Sequence, residues 1–274
     1  MPTIDVPGAQ LHYKERGTGP ALVLIHGSAT DMGTWSSVVE QLADDHRVVI
    51  YDRRGYGQSI HEPVRDHRIH TRDLHAILEQ VVREPAKVVG WSAGGNIALA
   101  AAVERPDLIN ELVVVEPPFH GLRHADRPTI SAAIQLKWLQ LRGQPERAAE
   151  VFFRFASALK SGGNSYDQME PAGREELLRN ARPVLAEWDP HPYGIMMEHV
   201  STKSVSRLSM PVTWILGGES ARWMYRLHDR VARRKPDINI VVVEGAGHLV
   251  HFDQEAAFIA AVRGSAHLSS SPDI

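Results

Sequence analysis

The segment Val88-Val89-Gly90-Trp91-Ser92-Ala93-Gly94-Gly95-Asn96 constrains this chain more than any other. An apolar β-branched run enters Gly-x-Ser-x-Gly and leaves into an alanine-rich stretch that reaches Glu104 and is stopped by Pro106. Such a run demands a strand, a sharp turn and a helix. Small residues on both sides of the serine let the two backbones approach, and the turn lifts Ser92 Oγ clear of the sheet. A helix starting at Ala93 would aim its N–H groups and positive dipole end at the space beside that oxygen, where negative charge is stabilised. The plainer reading is a glycine turn that merely joins strand to helix. Phosphate binding is weaker, since neither G-x-G-x-x-G nor G-x-x-x-x-G-K-[ST] occurs at this turn.

The rest of the chain supplies a sheet to carry that turn. ALVLI at Ala21 to Ile25, RVVIY at Arg47 to Tyr51, KVV at Lys87 to Val89, ELVVV at Glu111 to Val115, VTWIL at Val212 to Leu216 and INIVVV at Ile238 to Val243 are apolar without alternation. Runs of this kind suit strands covered on both faces, as in a parallel sheet. Helical stretches are expected between them at Trp35 to Ala43, Ile69 to Val82 and Ala93 to Glu104, giving an α/β layer fold.

The alternation stops between Phe119 and about Met210, where apolar residues recur at helical spacing: Ile130, Ile134, Trp138, Leu141; Val151, Phe152, Phe155, Leu159; Leu177, Ala181, Leu185, Trp188. Pro183 breaks or restarts the third series, and Gly162-Gly163 marks a mobile loop before it. We therefore expect a core domain of residues 1–118 and 211–274 with a helical insertion at 119–210. Residues at such spacing most often pack a core. If the insertion covers the ligand-binding edge of the sheet, Trp138, Phe152, Phe155, Trp188, Met196 and Met197 are the candidates to line a pocket.

Two further segments carry chemistry. Ile25-His26-Gly27-Ser28 follows the first buried strand, and a tetrahedral intermediate needs one backbone donor from such a loop and one from the residue after the nucleophile, here the N–H groups of Ser28 and Ala93. His26 then shapes the loop. Val243-Glu244-Gly245-Ala246-Gly247-His248 brings the last strand into glycines that free the loop to aim an imidazole, a group able to take the serine proton and return it. One histidine among 15 means little by itself, and His248 stands out by following the final strand. His251 makes a His-x-x-His spacing with it, but no flanking glutamate completes a zinc pattern, so a solvent-facing or core role is expected.

Together His26-Gly27, Asp52-Arg53-Arg54-Gly55-Tyr56-Gly57-Gln58-Ser59, Gly90-x-Ser92-x-Gly94 and Gly247-His248 resemble the α/β-hydrolase superfamily along nearly the whole length. That resemblance implies a mostly parallel eight-stranded sheet, a helical cap inserted after the sixth strand and a triad in the order Ser, acid, His. It also implies that the Asp52 to Ser59 loop is mainly structural. One departure matters. Many relatives place the acid after the seventh strand, where this chain has Leu216-Gly217-Gly218-Glu219-Ser220-Ala221-Arg222, with Ser220 or Ala221 at the expected position. A minority arrangement puts it after the sixth strand, where Val115-Glu116-Pro117-Pro118 stands, as in zearalenone lactone hydrolases and some haloalkane dehalogenases. Glu116 is the expected acid and Glu219 the alternative. A serine nucleophile argues against chemistry through an alkyl-enzyme ester.

The expected function is therefore hydrolysis of a carboxylic ester or lactone of a small, largely apolar molecule by Ser92, His248 and Glu116, with no metal or organic cofactor. Thioester, amide or carbon–carbon hydrolysis by the same triad, or a non-catalytic receptor on the same fold, are the alternatives. The chain has no cysteine, which excludes thiolate nucleophiles and Cys-based metal sites. A net charge of -3 without long like-charge runs gives no support to a nucleic-acid or anionic-membrane partner. The short cluster Arg233-Arg234-Lys235 reads as the solvated end of a helix. Without a leader-like or bilayer-length apolar segment, a cytoplasmic protein is expected. The Ser-rich stretch after Leu268 reads as a frayed tail.

Overall fold

The computed structural model describes residues 1–118, 127–187 and 200–264. Eight strands form one sheet: β1 (Thr3–Val6), β2 (Ala9–Arg16), β3 (Ala21–Ile25), β4 (Arg47–Tyr51), β5 (Ala86–Trp91), β6 (Ile109–Val115), β7 (Val212–Gly217) and β8 (Asn239–Val243). Their order is β1-β2-β4-β3-β5-β6-β7-β8. β1, β2 and β4 pair antiparallel, and every pairing from β4 through β3 to β8 is parallel.

The continuous apolar runs are used on both faces, as expected of covered parallel strands. Val23, Ile25, Val88, Leu112, Val114 and Trp214 face one core with α2 (His67–Ala76), α3 (Ala93–Glu104) and α9 (Arg222–Ala232). Their neighbours Leu22, Leu24, Val89, Val113 and Ile215 face the other, with α1 (Ser36–Leu42), α10 (Val250–Asp253) and α11 (Glu255–Val262). Each such side chain taken fully out of water stabilises by roughly 1.5–3 kcal/mol. α1 is preceded by a 3-10 turn over Met32–Trp35, so the helix starts one residue later than expected. α2 runs on as a π-type turn over Ile77–Val82, closed by the Arg83 N–H on Leu78 O.

The first part of the inserted stretch folds into α4 (Arg127–Leu141), α5 (Pro145–Ala156), a 3-10 turn over Tyr166–Gln168, α6 (Pro171–Arg179) and α7 (Ala181–Glu187). The third apolar series does break, at Asn180, which leaves Pro183 in the first turn of α7, where it breaks no helical hydrogen bond. Gly162 and Gly163, at φ 98° and 76°, close a tight turn whose arms meet in an Ala158–Asn164 bridge. Leu136, Leu139, Phe152, Phe153, Val184 and Leu185 pack together and onto Ala29 and Tyr56 of the sheet's loops. Val200, Val205, Leu208 and Met210 instead join the sheet's core, so α8 (Thr202–Val205) packs with the sheet and not with the insertion to which the sequence reading assigned it. The helical spacing also misleads along α4, because Leu136 and Leu139 are buried there while Ile130, Ile134, Trp138 and Leu141 face solvent. Lys235 departs from expectation too. Its ammonium is buried and donates to Leu208 O at 2.9 Å and Asp237 at 2.8 Å, which stops it extending into water. No helix among the described residues is long and apolar enough to cross a membrane.

Candidate active site

Ser92 sits between β5 and α3 at φ 53°, ψ −121°, a conformation L-residues avoid and that costs of order 1–3 kcal/mol. Steric crowding explains the flanking glycines. A Cβ on Gly90 would lie 2.4 Å from Gly94 O, and one on Gly94 would lie 2.3 Å from Ile25 O. The backbone is held on both sides of the turn, by Ser92 N–H donating to Val115 O and by Gly95 N–H donating to Ser92 O.

Three buried side chains form a row. Ser92 Oγ lies 3.1 Å from His248 Nε2, and His248 Nδ1 lies 2.7 Å from Glu116 Oε2. The tautomer that satisfies both contacts donates from Nδ1 to the carboxylate and accepts the serine hydroxyl at Nε2. Glu116 Oε1 accepts from Gly217 N–H at 2.8 Å, so both carboxylate oxygens are occupied and the group is aimed. Glu116 itself stands at φ 47°, a second strained non-glycine residue, and turns the chain at the end of β6. His248 is steadied through its backbone. Trp91 Nε1–H donates to His248 O at 2.8 Å, and Gly247 N–H donates to Asp253 at 2.8 Å.

A model of the alpha/beta hydrolase family matches residues 22–261. The chain belongs to that family, and it is a hydrolase. It is 35% identical over 127 residues to an uncharacterized hydrolase, YraK, of Bacillus subtilis, a match that spans 45% of this chain and 47% of that one. It is 28% identical over 223 residues to a pimeloyl-[acyl-carrier protein] methyl ester esterase of Vibrio vulnificus, covering 76% and 78% of the two chains. An enol-lactonase structure from Burkholderia xenovorans superposes with TM-score 0.74 at 18% identity, over 96% of this chain and 99% of that one, which speaks to the fold.

In this α/β-hydrolase the two carboxylates considered from sequence part company. Glu219 follows β7, but its N–H donates to Ala246 O and its side chain turns outward to Lys160 at 3.3 Å. A Cβ on Gly217 would strike Gly247 O at 2.3 Å, so the end of β7 presses on the histidine loop with backbone, and Glu116 is the carboxylate that meets His248 Nδ1.

Ser28 and Ala93 are both buried here, and Ser28 shares a cavity of about 50 Å³ with Ser92 and His248. Phe152 lines that cavity together with Phe153, Tyr166, Met169 and Leu177, and those four are not among the pocket candidates that the sequence offers. Phe155 does not. It stacks on Trp223 at 5.8 Å and packs against the sheet's core. Trp138 does not border that cavity either: it is half exposed on α4 under the Arg142 guanidinium at 4.1 Å and lines a separate open groove with Ile130 and Ile134. Trp188, Met196 and Met197 lie outside the described residues.

His26 is fully buried away from the row and accepts Arg53 N–H at Nε2, 2.9 Å, with Nδ1 on Gly27 O at 2.8 Å. Burial and the Arg53 cation push its pKa well below the ordinary imidazole range, so it stays neutral and shapes the loop. His251 is a core residue, wedged against Trp35, Trp91 and Phe258 and sharing a hydrogen bond with Thr34 Oγ1 at 3.0 Å. Burial, with His248 next to it, lowers its pKa to about 3. Asp52 accepts the N–H groups of Met32 and Gln58, each at 2.8 Å, which is the structural task of its loop. Burial nonetheless raises its pKa.

Sequence reasoning missed a buried cluster below the Ser28 loop. Arg53 Nη1 donates to Glu187 Oε1 at 2.7 Å, Ser28 Oγ donates to Glu187 Oε2 at 2.5 Å, and His70 Nε2 stands 3.5 Å from the same carboxylate. Burial opposes charge on Glu187, but Arg53 and the nearby imidazoles hold its pKa well below the usual carboxylate range. Glu187 follows no motif, so no local signal marked it.

Proposed function

We propose that this enzyme hydrolyses a carboxylic ester or lactone of a small, largely apolar molecule through an acyl-enzyme on Ser92. The single observation that carries the reading is the unbroken row from Ser92 Oγ through the His248 ring to Glu116, at 3.1 and 2.7 Å. Ser92 Oγ attacks the carbonyl carbon as His248 Nε2 takes its proton, and the C=O electron pair moves onto oxygen. The N–H groups of Ser28 and Ala93 donate to that oxyanion, the latter from a helix N-terminus. Glu116 keeps the imidazole in its working tautomer and stabilises the imidazolium. Collapse expels the alkoxide, which receives the proton from His248. A water activated by the same nitrogen then cleaves the acyl-enzyme and restores Ser92.

The walls of Phe152, Phe153, Met169 and Leu177 favour an apolar substrate body. The ester bond named for the Vibrio vulnificus relative accords with the chemistry. The experiment is labelling with a fluorophosphonate alongside hydrolysis of p-nitrophenyl esters of graded chain length and of simple lactones. Labelling and turnover that both vanish in Ser92→Ala support the reading. An unlabelled wild type that turns over no ester or lactone sinks it and leaves a ligand receptor on the same fold.

A further inference from the structure

α7 grips the Ser28 loop from both of its ends. Asn180, just before the helix, donates from Nδ2 to Ala29 O at 2.9 Å, and Glu187, its last residue, accepts from Ser28 Oγ at 2.5 Å. The other Glu187 oxygen takes Arg53 Nη1, while Arg53 Nη2 donates to Gly27 O at 2.8 Å. Gly27, Ser28 and Ala29 are thus each held by a side chain far away in sequence. Ala29 stands at φ 71°, a conformation that an alanine keeps only when its surroundings impose it. Glu187 and Arg53 are 1% and 0% exposed, and a pair buried this deeply is weak evidence of added stability, because desolvation offsets its attraction. Its geometric effect is definite. With the Ser28 hydroxyl committed to Glu187, the donor this residue has left for a substrate oxygen is its backbone N–H.

We propose that Glu187 is a positioning residue for the reaction: through Ser28 and Arg53 it sets the direction of the Ser28 N–H, making the insertion and the oxyanion site one mechanical unit. This rests on the serine-hydrolase reading above. A buried carboxylate placed under the loop is not the oxyanion's neighbour by charge, since Arg53 neutralises it. It acts through the loop.

Ser28→Ala is the cleanest probe, because it keeps the backbone N–H and the Arg53–Glu187 pair and cuts only the link. On p-nitrophenyl acetate kcat/KM should fall about tenfold, as expected of a slightly misplaced donor. Affinity for phenyl trifluoromethyl ketone, whose Ser92 adduct carries an oxyanion, should fall in parallel. Glu187→Gln strips Arg53 of its counter-charge, so it is measured at a temperature where circular dichroism reports a native fold. It should weaken ketone binding as Ser28→Ala does, and the double variant should lose little more than the worse single one. Variants that melt earlier yet keep full kcat/KM and ketone affinity while folded would overturn the proposal and reduce Glu187 to a structural role. Failure of the underlying reading has a different signature: p-nitrophenyl acetate turnover that survives Ser92→Ala, which removes both.

Discussion

Val88, Val89, Leu112 and Val113 at the centre of the sheet are wholly buried, whereas Ile130, Ile134, Trp138 and Leu141 along α4 are 50–79% exposed. Both regions are apolar in sequence, a pattern that most often packs a core. They differ in what closes over them. The strands are covered by helices on each face, so every side chain finds a layer. α4 buries Leu136 and Leu139, while Ile130, Ile134, Trp138 and Leu141 on the same helix are exposed. The contrast extends to the site. Ser92, His248 and Glu116 are aimed by backbone at the ends of β5, β8 and β6, while the insertion bears on the site through side chains: Phe152 on the cavity wall, Asn180 and Glu187 on the Ser28 loop.

The sharpest way to break this division is at the row itself. Ser92→Ala should lose on the order of 10⁴–10⁶-fold in kcat on p-nitrophenyl acetate with its melting temperature unchanged, since the hydroxyl's work is covalent. Retained turnover would remove the sheet's claim to the chemistry. Next comes the acid: Glu116→Gln should cost on the order of 10⁴-fold and Glu219→Gln less than about threefold. Reversed magnitudes would move the acid to the loop after β7 and undo the sixth-strand assignment.

Stability draws the same line. Leu112→Ala, in the covered sheet, should destabilise by about 2–5 kcal/mol in urea titrations, against roughly 0.5 kcal/mol or less for Ile134→Ala on α4. Comparable losses at the two positions would mean that the α4 stripe is covered in solution.

Acid gives a third test. Burial, the first cause in each case, lowers the pKa values of His26, His70, His228 and His251. An unfolded chain protonates these imidazoles as pH drops through about 6.5 while the native one resists. Their contribution is thus intact above that pH and is lost as pH falls towards the native values, about 3 for His251. Each histidine contributes at most about 1.4 kcal/mol per pH unit. His251→Asn should shallow the acid limb of a stability–pH curve, and an unchanged limb would mean that His251 takes up its proton in the fold at the same pH as in the unfolded chain.

The smallest effect separates two phenylalanines of α5. Phe152→Ala should alter the ratio of butyrate to acetate ester turnover by about tenfold, since it borders the cavity, and Phe155→Ala should leave that ratio alone while lowering stability. Equal ratios in both variants would assign Phe152 to packing only.

Much of the molecule was legible because it depends on local pattern. The Gly-x-Ser-x-Gly turn could be read since glycines at 90 and 94 are required by backbone contacts under 3 Å, whatever else the chain does. The parallel sheet followed from unbroken apolar runs, and His248 from its place after the last strand. Three matters were decided only in three dimensions. Glu116 and Glu219 are both carboxylates after strands in the right order, and which of them meets His248 Nδ1, here Glu116 at 2.7 Å, turns on the paths of two loop exits, a question of ångströms. Which aromatic of α5 lines the cavity depends on the rotation of one helix, to which spacing is blind. Glu187 meets Ser28 and Arg53 across 159 and 134 residues. Propensity and periodicity act over a few residues, and a buried ion pair between distant segments comes into existence only when the fold brings them together.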